Sequence, residues 1–186
     1  AQFGWGGGME HTTVSFMVNF NRSLIAHELA HQWFGDDITC GTWKDIWLNE
    51  GFATYMASLV IENFDGENAF ILDKIAMINY ITSEPDGAVY LTAQEATDVS
   101  RIFNGRLSYY KGAMVLNMLR LKMGDVGFFQ GLRNYLNDIN LNYGYAVTAD
   151  FQSHMELVYG QSLSEFFNDW VYHQGFPTYT IAAYNA

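Results

Sequence analysis

Two strongly apolar stretches of this chain are interrupted by polar residues at the spacing of helical turns. From Leu24 to Phe34 every position is apolar except His27, Glu28, His31 and Gln32, and between Asp45 and Glu62 the one charged residue is Glu50. Both stretches read as helices: the first from about Ser23, taken as its N-cap, to Phe34, with Gly35 placed to end it; the second persisting to about Phe64. Ahead of them, Gly4-Trp5-Gly6-Gly7-Gly8 is a flexible run able to bring backbone close to a ligand, and Met9 to Val18 reads as a strand. A loop through Cys40-Gly41-Thr42 joins the two helices. Further helices are predicted over Gly66 to Ser83, stopped by Pro85; Leu107 to Met123, before Gly124; Val126 to Asn140; Ala149 to Tyr159; and Leu163 to His173. Thr92 to Asn104 fits helix and loop equally, Thr178 to Tyr184 reads as extended, and no internal repeat is present.

The polar insertions carry the candidate chemistry. Residues four apart lie on one face of an α-helix, so His27 and His31 present ring nitrogens to a single ion. Glu28 sits a step round the helix, where it reaches a metal-held water without being a ligand. Glu50, from a separate helix, supplies the third ligand and leaves the fourth tetrahedral position open, as catalytic zinc requires. Each of these polar groups is set in an apolar face, and buried imidazoles and carboxylates need partners. One zinc ion satisfies all three ligands. Asp45 is either a carboxylate supporting a zinc-bound imidazole or a solvated acid at a helix start. His154 and His173 read as structural.

Composition narrows the class further. A chain of 186 residues, 49% hydrophobic and 17% aromatic, builds one substantial core, so residues 1–186 are expected as a single domain. Its parts are a Gly-rich segment and strand (1–20), a helical zinc-binding region (21–177) and the start of an extended segment (178–186). No apolar run approaches the roughly 20 residues that span a bilayer, so no membrane insertion is expected of a soluble fragment. Cys40 is alone, which excludes an internal disulfide and a thiolate cluster. A net charge of −11 disfavours nucleic-acid binding and fits an acidic surface tolerant of cationic peptides, although acidic totals mostly serve solubility.

Four segments then resemble one family. His27 to Asp36 reads HELAHQWFGD, Trp47 to Ala53 reads WLNEGFA, Gly7 to His11 reads GGMEH, and Tyr109 to Gly112 reads YYKG. Together they resemble the aminopeptidase N family of gluzincin metallopeptidases, which includes the leukotriene hydrolase-type aminopeptidases. The family's Gly-x-Met-Glu-Asn strand motif, its HExxH with a glutamate eighteen residues further on and its Tyr-x-Lys-Gly are matched in order. Trp170 with Gln174-Gly175-Phe176-Pro177 is similar to the segment where the family's catalytic domain hands over to the next, so the resemblance spans nearly the whole chain. The implied fold is mainly α, the helical part of a thermolysin-like zinc metallopeptidase catalytic domain with a short N-terminal strand region.

The resemblance also implies roles. Zinc, one per chain, is held by His27, His31 and Glu50; Glu28 is the general base; Tyr109, rather than Tyr110, donates to the oxygen that gains charge. Glu10 pairs with the α-ammonium of a peptide, and Gly7 and Gly8 expose backbone to it. The implied activity is removal of N-terminal residues from peptides with a free N-terminus. A zinc endopeptidase, an epoxide hydrolase-like enzyme and a non-catalytic zinc-containing interaction module are the alternatives, the intact Glu28 arguing against the last. His11 stands where the family has Asn, and either adjusts substrate binding or packs. The absence of a start methionine or signal peptide predicts an excised domain, whose N-terminal strand, without its neighbours, leaves it less stable or oligomeric.

Overall fold

In the computed structural model, which describes residues 1–4, 6–178 and 180–183, the segment expected as one strand from Met9 to Val18 folds back on itself. β1 (Gly8–Met9) pairs antiparallel with β2 (Phe16–Met17), Gly8 opposite Met17 and Met9 opposite Phe16. The chain reverses between them, with the Val14 N–H donating to the His11 carbonyl at 3.0 Å. Apolar and polar residues must alternate to hold a half-buried strand. Glu10-His11-Thr12-Thr13 breaks that alternation and takes the turn.

The first helix, α1 (Arg22–Ala30), is capped by Asn21 and not by Ser23: the Asn21 side-chain oxygen accepts from the Leu24 N–H at 2.9 Å. Regular α1 ends at Ala30, with His31 as its C-cap, short of the expected Phe34. The N–H groups of Gln32 and Trp33 bond carbonyls three residues back, each at 3.1 Å, so the final turn tightens. Gly35, at φ 147°, then turns the chain into β3 (Ile38–Cys40). A 3₁₀ turn (Trp43–Asp45) leads into α2 (Trp47–Asp65), and α3 (Glu67–Ile81) follows across Gly66.

The ambiguous stretch from Thr92 to Asn104 forms a 3₁₀ turn (Glu95–Thr97) and the short helix α4 (Val99–Ile102), whose N-cap Asp98 accepts from the Ser100 N–H. Next comes a π-helical turn, Gly105–Lys111, running directly into α5 (Gly112–Leu136). Gly124, at φ 74°, breaks the helical path of α5 where two helices were expected. The helix stops at Leu136, not Asn140. There the Asn137 amide donates to the Arg133 carbonyl at 2.7 Å and the Asp138 carboxylate accepts from the Asn140 N–H at 2.9 Å, local bonds that compete with the helix. β4 (Gly144–Ala146) and α6 (Thr148–Tyr159) follow. The helix expected over Leu163 to His173 splits into α7 (Ser164–Phe167) and a second π-turn, Asn168–Tyr172. Residues 178 and 180–183 hold no helix or strand, while Tyr179 and Tyr184 of the segment expected as extended lie outside the described residues.

A second sheet was not anticipated: β3 and β4 pair in parallel, Ile38 opposite Gly144 and Cys40 opposite Ala146. At the centre of the molecule lies α2, with α1, α3 and α5 packed against it. A helix covered on several sides is apolar nearly all round, which is why this one carries Trp47, Phe52 and Tyr55 fully buried. Phe52 stacks on Phe34 at 4.3 Å between ring centroids and meets Phe151 edge to face at 5.0 Å. Such pairs add about 0.5–1.5 kcal/mol each beyond area burial. They tie α2 to the turn after α1 and to α6, and so fix the two helices that carry the candidate ligands. Among the described residues no helix is long and apolar enough to cross a membrane.

Candidate active site

The three expected ligands converge. His27 and His31 Nε2 stand 3.1 Å apart, and the Glu50 Oε2 lies 3.3 Å from the first and 3.2 Å from the second. These atoms form a nearly equilateral triangle. Metal–ligand bonds of about 2.0–2.1 Å in a tetrahedron place neighbouring ligand atoms about 3.3 Å apart, so the triangle is one face of a zinc-sized coordination shell. Among the described residues these three are the group of metal-ligating side chains that meets around one point. The donor set fits zinc: two imidazoles and a carboxylate, with the ring of His31 oriented by its Nδ1 against the Phe34 carbonyl at 3.0 Å.

Charge is coupled tightly across the triangle in the metal-free protein. Burial disfavours the charged ring of His31, but the hydrogen-bonded Glu50 carboxylate prevails and raises its pKa to about 9. Burial likewise opposes ionisation of Glu50, and hydrogen bonds from His27 and His31 overcome it, taking that carboxyl down to about 2. Glu28 behaves in the opposite way. It is 3% exposed, its Oε2 has no hydrogen-bond partner, and burial, reinforced by Glu10 and Glu50 against the pull of His31, raises its pKa to about 7. A carboxylate of that basicity, unpartnered beside the triangle, suits a proton acceptor at neutral pH.

The N-terminal hairpin runs past this carboxylate. A Cβ built on Gly8 would fall 2.1 Å from the Glu28 Oε1, so the β1 backbone touches the carboxylate where a side chain would otherwise stand. Glu10 follows at the end of the strand. The Gln32 amide, one residue after His31, donates to the Glu10 carbonyl at 3.0 Å and to the Asp36 carboxylate at 2.9 Å, which ties the hairpin to the end of α1. Gly7, Gly8, Glu10, Glu28, Glu50 and Tyr109 all line one cleft of about 1190 Å³.

Tyr109 enters the cleft from the π-turn. Its ring stacks on His27 with centroids 5.9 Å apart and planes 10° from parallel. Burial, with the Glu50 carboxylate beside it, holds its phenol well above the usual tyrosine range, so the hydroxyl keeps its proton and donates. Tyr110 also borders the cleft but is exposed and packs edge-on to Tyr80 at 5.5 Å.

Other residues singled out in the sequence lie outside the triangle. Asp45 does not support an imidazole: its carboxylate accepts from the Thr148 N–H at 2.8 Å, the Thr148 hydroxyl at 2.7 Å and the Thr42 hydroxyl at 2.6 Å. It anchors the start of α2 to α6 instead, and the Trp47 indole joins it on Thr148 at 3.0 Å. His11 packs edge-on against Phe16 at 5.5 Å in the hairpin. His154 bonds the Asp138 carboxylate and the Asp150 carbonyl, and His173 the Asn168 carbonyl. Burial pushes the Cys40 thiol up to about 12.

Sequence reading missed the supporting contacts. Asn49, adjacent to Glu50, accepts from the Cys40 N–H at 3.0 Å and holds β3 to α2. Gly35 allows the chain to pass His31, since a Cβ there would stand 3.2 Å from its Nδ1. Both positions lie inside the segments singled out by resemblance, but their partners are set by tertiary contact.

A cleft with an open three-ligand face, a basic carboxylate and a phenol donor defines a metallohydrolase type of site. The chain matches the Peptidase family M1 domain over residues 10–170, and it belongs to that family. It is 34% identical over 171 residues to "Probable aminopeptidase 2" of Sulfurisphaera tokodaii, covering 86% of this chain and 21% of that protein. Glutamyl aminopeptidase of Rattus norvegicus is 31% identical over 86% of this chain and 17% of its own length. The chain thus spans about a fifth of the curated relatives it matches. Among solved structures, a mutant M1 zinc metallopeptidase from Deinococcus radiodurans bound to a Tyr-Ser-Ala substrate superposes with a TM-score of 0.78 at 28% identity, over 95% of this chain and 40% of that one. Yeast LTA4 hydrolase in complex with bestatin gives 0.78 at 25% identity, over 95% and 31%.

Proposed function

We propose that this chain carries the catalytic centre of a zinc-dependent aminopeptidase that binds one zinc per chain through His27, His31 and Glu50. The observation that carries the reading is the triangle of ligand atoms with an unpartnered basic carboxylate, Glu28, beside it. When bound, zinc acidifies a water and polarises the scissile carbonyl. The protein's own residues do the rest. Glu28 accepts the proton as water adds to the carbonyl carbon, and passes it to the departing amine. The Tyr109 hydroxyl donates to the carbonyl oxygen as it gains negative charge.

Glu10 gives the reading its exopeptidase character. A carboxylate lining the same cleft as the base pairs with a peptide's α-ammonium, so the scissile bond is counted from the N-terminus. Gly7 and Gly8 expose the hairpin backbone to hydrogen-bond an extended peptide in the manner of an added strand. Endopeptidase and epoxide hydrolase chemistry would use the same ligands, and the substrate's free amine separates them from this reading.

The test is a panel of aminoacyl anilides and short peptides, free and N-acetylated, with the metal measured by elemental analysis. Cleavage of free-amine substrates alone, abolished by a chelator and restored by about one equivalent of zinc, is the expected result. Equal cleavage of acetylated substrates at internal bonds would rule out the aminopeptidase reading, and undiminished metal in both His31→Ala and Glu50→Ala would rule out the ligand set.

A further inference from the structure

Lys111 is 6% exposed, and its ammonium meets two backbone carbonyls, Gly87 at 2.8 Å and Gly175 at 3.4 Å. No carboxylate is paired with it among the described residues. Burial, with Arg106 and Arg101 nearby, lowers its pKa to about 8. Desolvating an ammonium without a counter-charge is costly, so the site retains a cation for what its donors hold.

What they hold is one end of the π-turn that carries Tyr109. Near its other end, Arg106 donates to the carbonyls of Ile81, Glu84 and Asp86 at 3.2, 3.1 and 3.0 Å. Arg101 adds the Ala88 carbonyl at 2.6 Å. Three cations thus grip carbonyls from Ile81, at the end of α3, to Ala88 in the segment after it, and Tyr109 stands between two of the grips. Gly87, at φ 87°, lies so close to the turn that a Cβ there would come 2.4 Å from a Leu107 methyl. A π-turn is less stable than an α-turn and survives where tertiary contacts impose it. Released at Lys111, the segment would relax to α-helical pitch, and Tyr109 would rotate about the axis away from His27.

We propose that Lys111 is a positioning residue: by tying the end of the π-turn to the Gly87 and Gly175 carbonyls, it keeps the Tyr109 hydroxyl facing the cleft beside His27. This rests on the reading of Tyr109 as the hydrogen-bond donor to the reacting oxygen. The lysine does not touch substrate, and its effect passes through the tyrosine alone.

The test is a double-mutant cycle of Lys111→Met and Tyr109→Phe in the full-length protein, read by kcat, KM, zinc content and affinity for a phosphinic dipeptide that mimics the tetrahedral adduct. Lys111→Met is expected to lower kcat by about 10- to 100-fold, to leave zinc content unchanged and KM within about threefold, and to weaken the phosphinic mimic as Tyr109→Phe does. In the Tyr109→Phe background the same substitution should change kcat by less than about threefold, because a missing hydroxyl cannot be misplaced. Equal losses from Lys111→Met in both backgrounds would overturn the proposal. If Lys111→Met prevents folding, Lys111→Gln, which keeps a donor, enters the same cycle, and failure of both to fold marks a stability residue and also overturns it. An unchanged kcat in Tyr109→Phe alone would instead remove the reading of the tyrosine.

Discussion

Gly51 and Gly112 lie backbone against backbone where α2 crosses the start of α5. A Cβ on Gly51 would stand 3.0 Å from the Cα and carbonyl carbon of Gly112, and one on Gly112 would stand 3.1 Å from the Gly51 Cα. Gly51 follows Glu50, one corner of the ligand-atom triangle, and Gly112 closes the turn that carries Tyr109. The missing side chains let the two segments approach until the tyrosine ring reaches His27.

The obstacle at each position is backbone, which cannot swing aside. Overpacking of this kind costs about 1–3 kcal/mol, and the better helix propensity of alanine returns up to about 1 kcal/mol. Gly51→Ala and Gly112→Ala should each lose about 1–2 kcal/mol of stability in chemical denaturation, with kcat falling more than KM rises. Full wild-type stability in both would show that the crossing is loose.

Glu28→Gln should keep the metal while turnover drops roughly 10²-fold or more, since an amide cannot accept the proton. Its side chain retains the volume that fills the space against Gly8, so the fold is unaffected. Near-normal turnover with full zinc occupancy would mean that another group takes the proton.

The two neighbouring tyrosines should respond unequally. Tyr109→Phe is expected to cost on the order of 10² in kcat, because only its hydroxyl leaves while the ring still stacks on His27. Tyr110→Phe should be mild, as that ring packs on Tyr80 at the rim. The reverse order in steady-state kinetics would shift the catalytic donor by one residue.

Metal-free protein should show a distinct pH dependence of stability. The His31 pKa, raised from 6.5 to about 9, contributes stability that is complete below 6.5 and is lost as pH rises through about 9. That of Glu50, lowered from 4.5 to about 2, contributes stability present above 4.5 and lost as pH falls through about 2. Tm measured with a chelator should therefore decline from pH 6.5 towards 9, and Glu50→Gln should flatten that decline. A chelated wild-type Tm that climbs over the same interval would contradict the coupling of these two residues.

What the sequence revealed was governed by local periodicity. His27 and His31 are one helical turn apart, so their convergence follows from the pitch of α1, and Glu50 was visible as the one charge in an apolar helix. The glycine break at Gly124 was legible for the same reason. Contacts between distant segments were not. β3 pairs with β4 across a separation of more than a hundred residues, and three residues in each strand carry too little alternation to announce it. Asp45 reads from sequence as either a support for an imidazole or a solvated acid at a helix start, and is neither, because Thr148, 103 positions away, joins Thr42 in donating to its buried carboxylate. Lys111 was visible within its motif, yet the carbonyls that explain its burial belong to Gly87 and Gly175.

The link from Asp45 to Thr148 also sets an order of events during synthesis. The two residues are 103 positions apart, an interval of about 5–20 s on the ribosome at roughly 5–20 residues per second. Until α6 emerges, the Asp45 carboxylate has only the Thr42 hydroxyl as a donor, and the Trp47 indole at the start of α2 lacks its acceptor. If the triangle takes zinc as proposed, its native geometry is complete only once the segment bearing Thr148 has been made, which couples loading to completion of the fold.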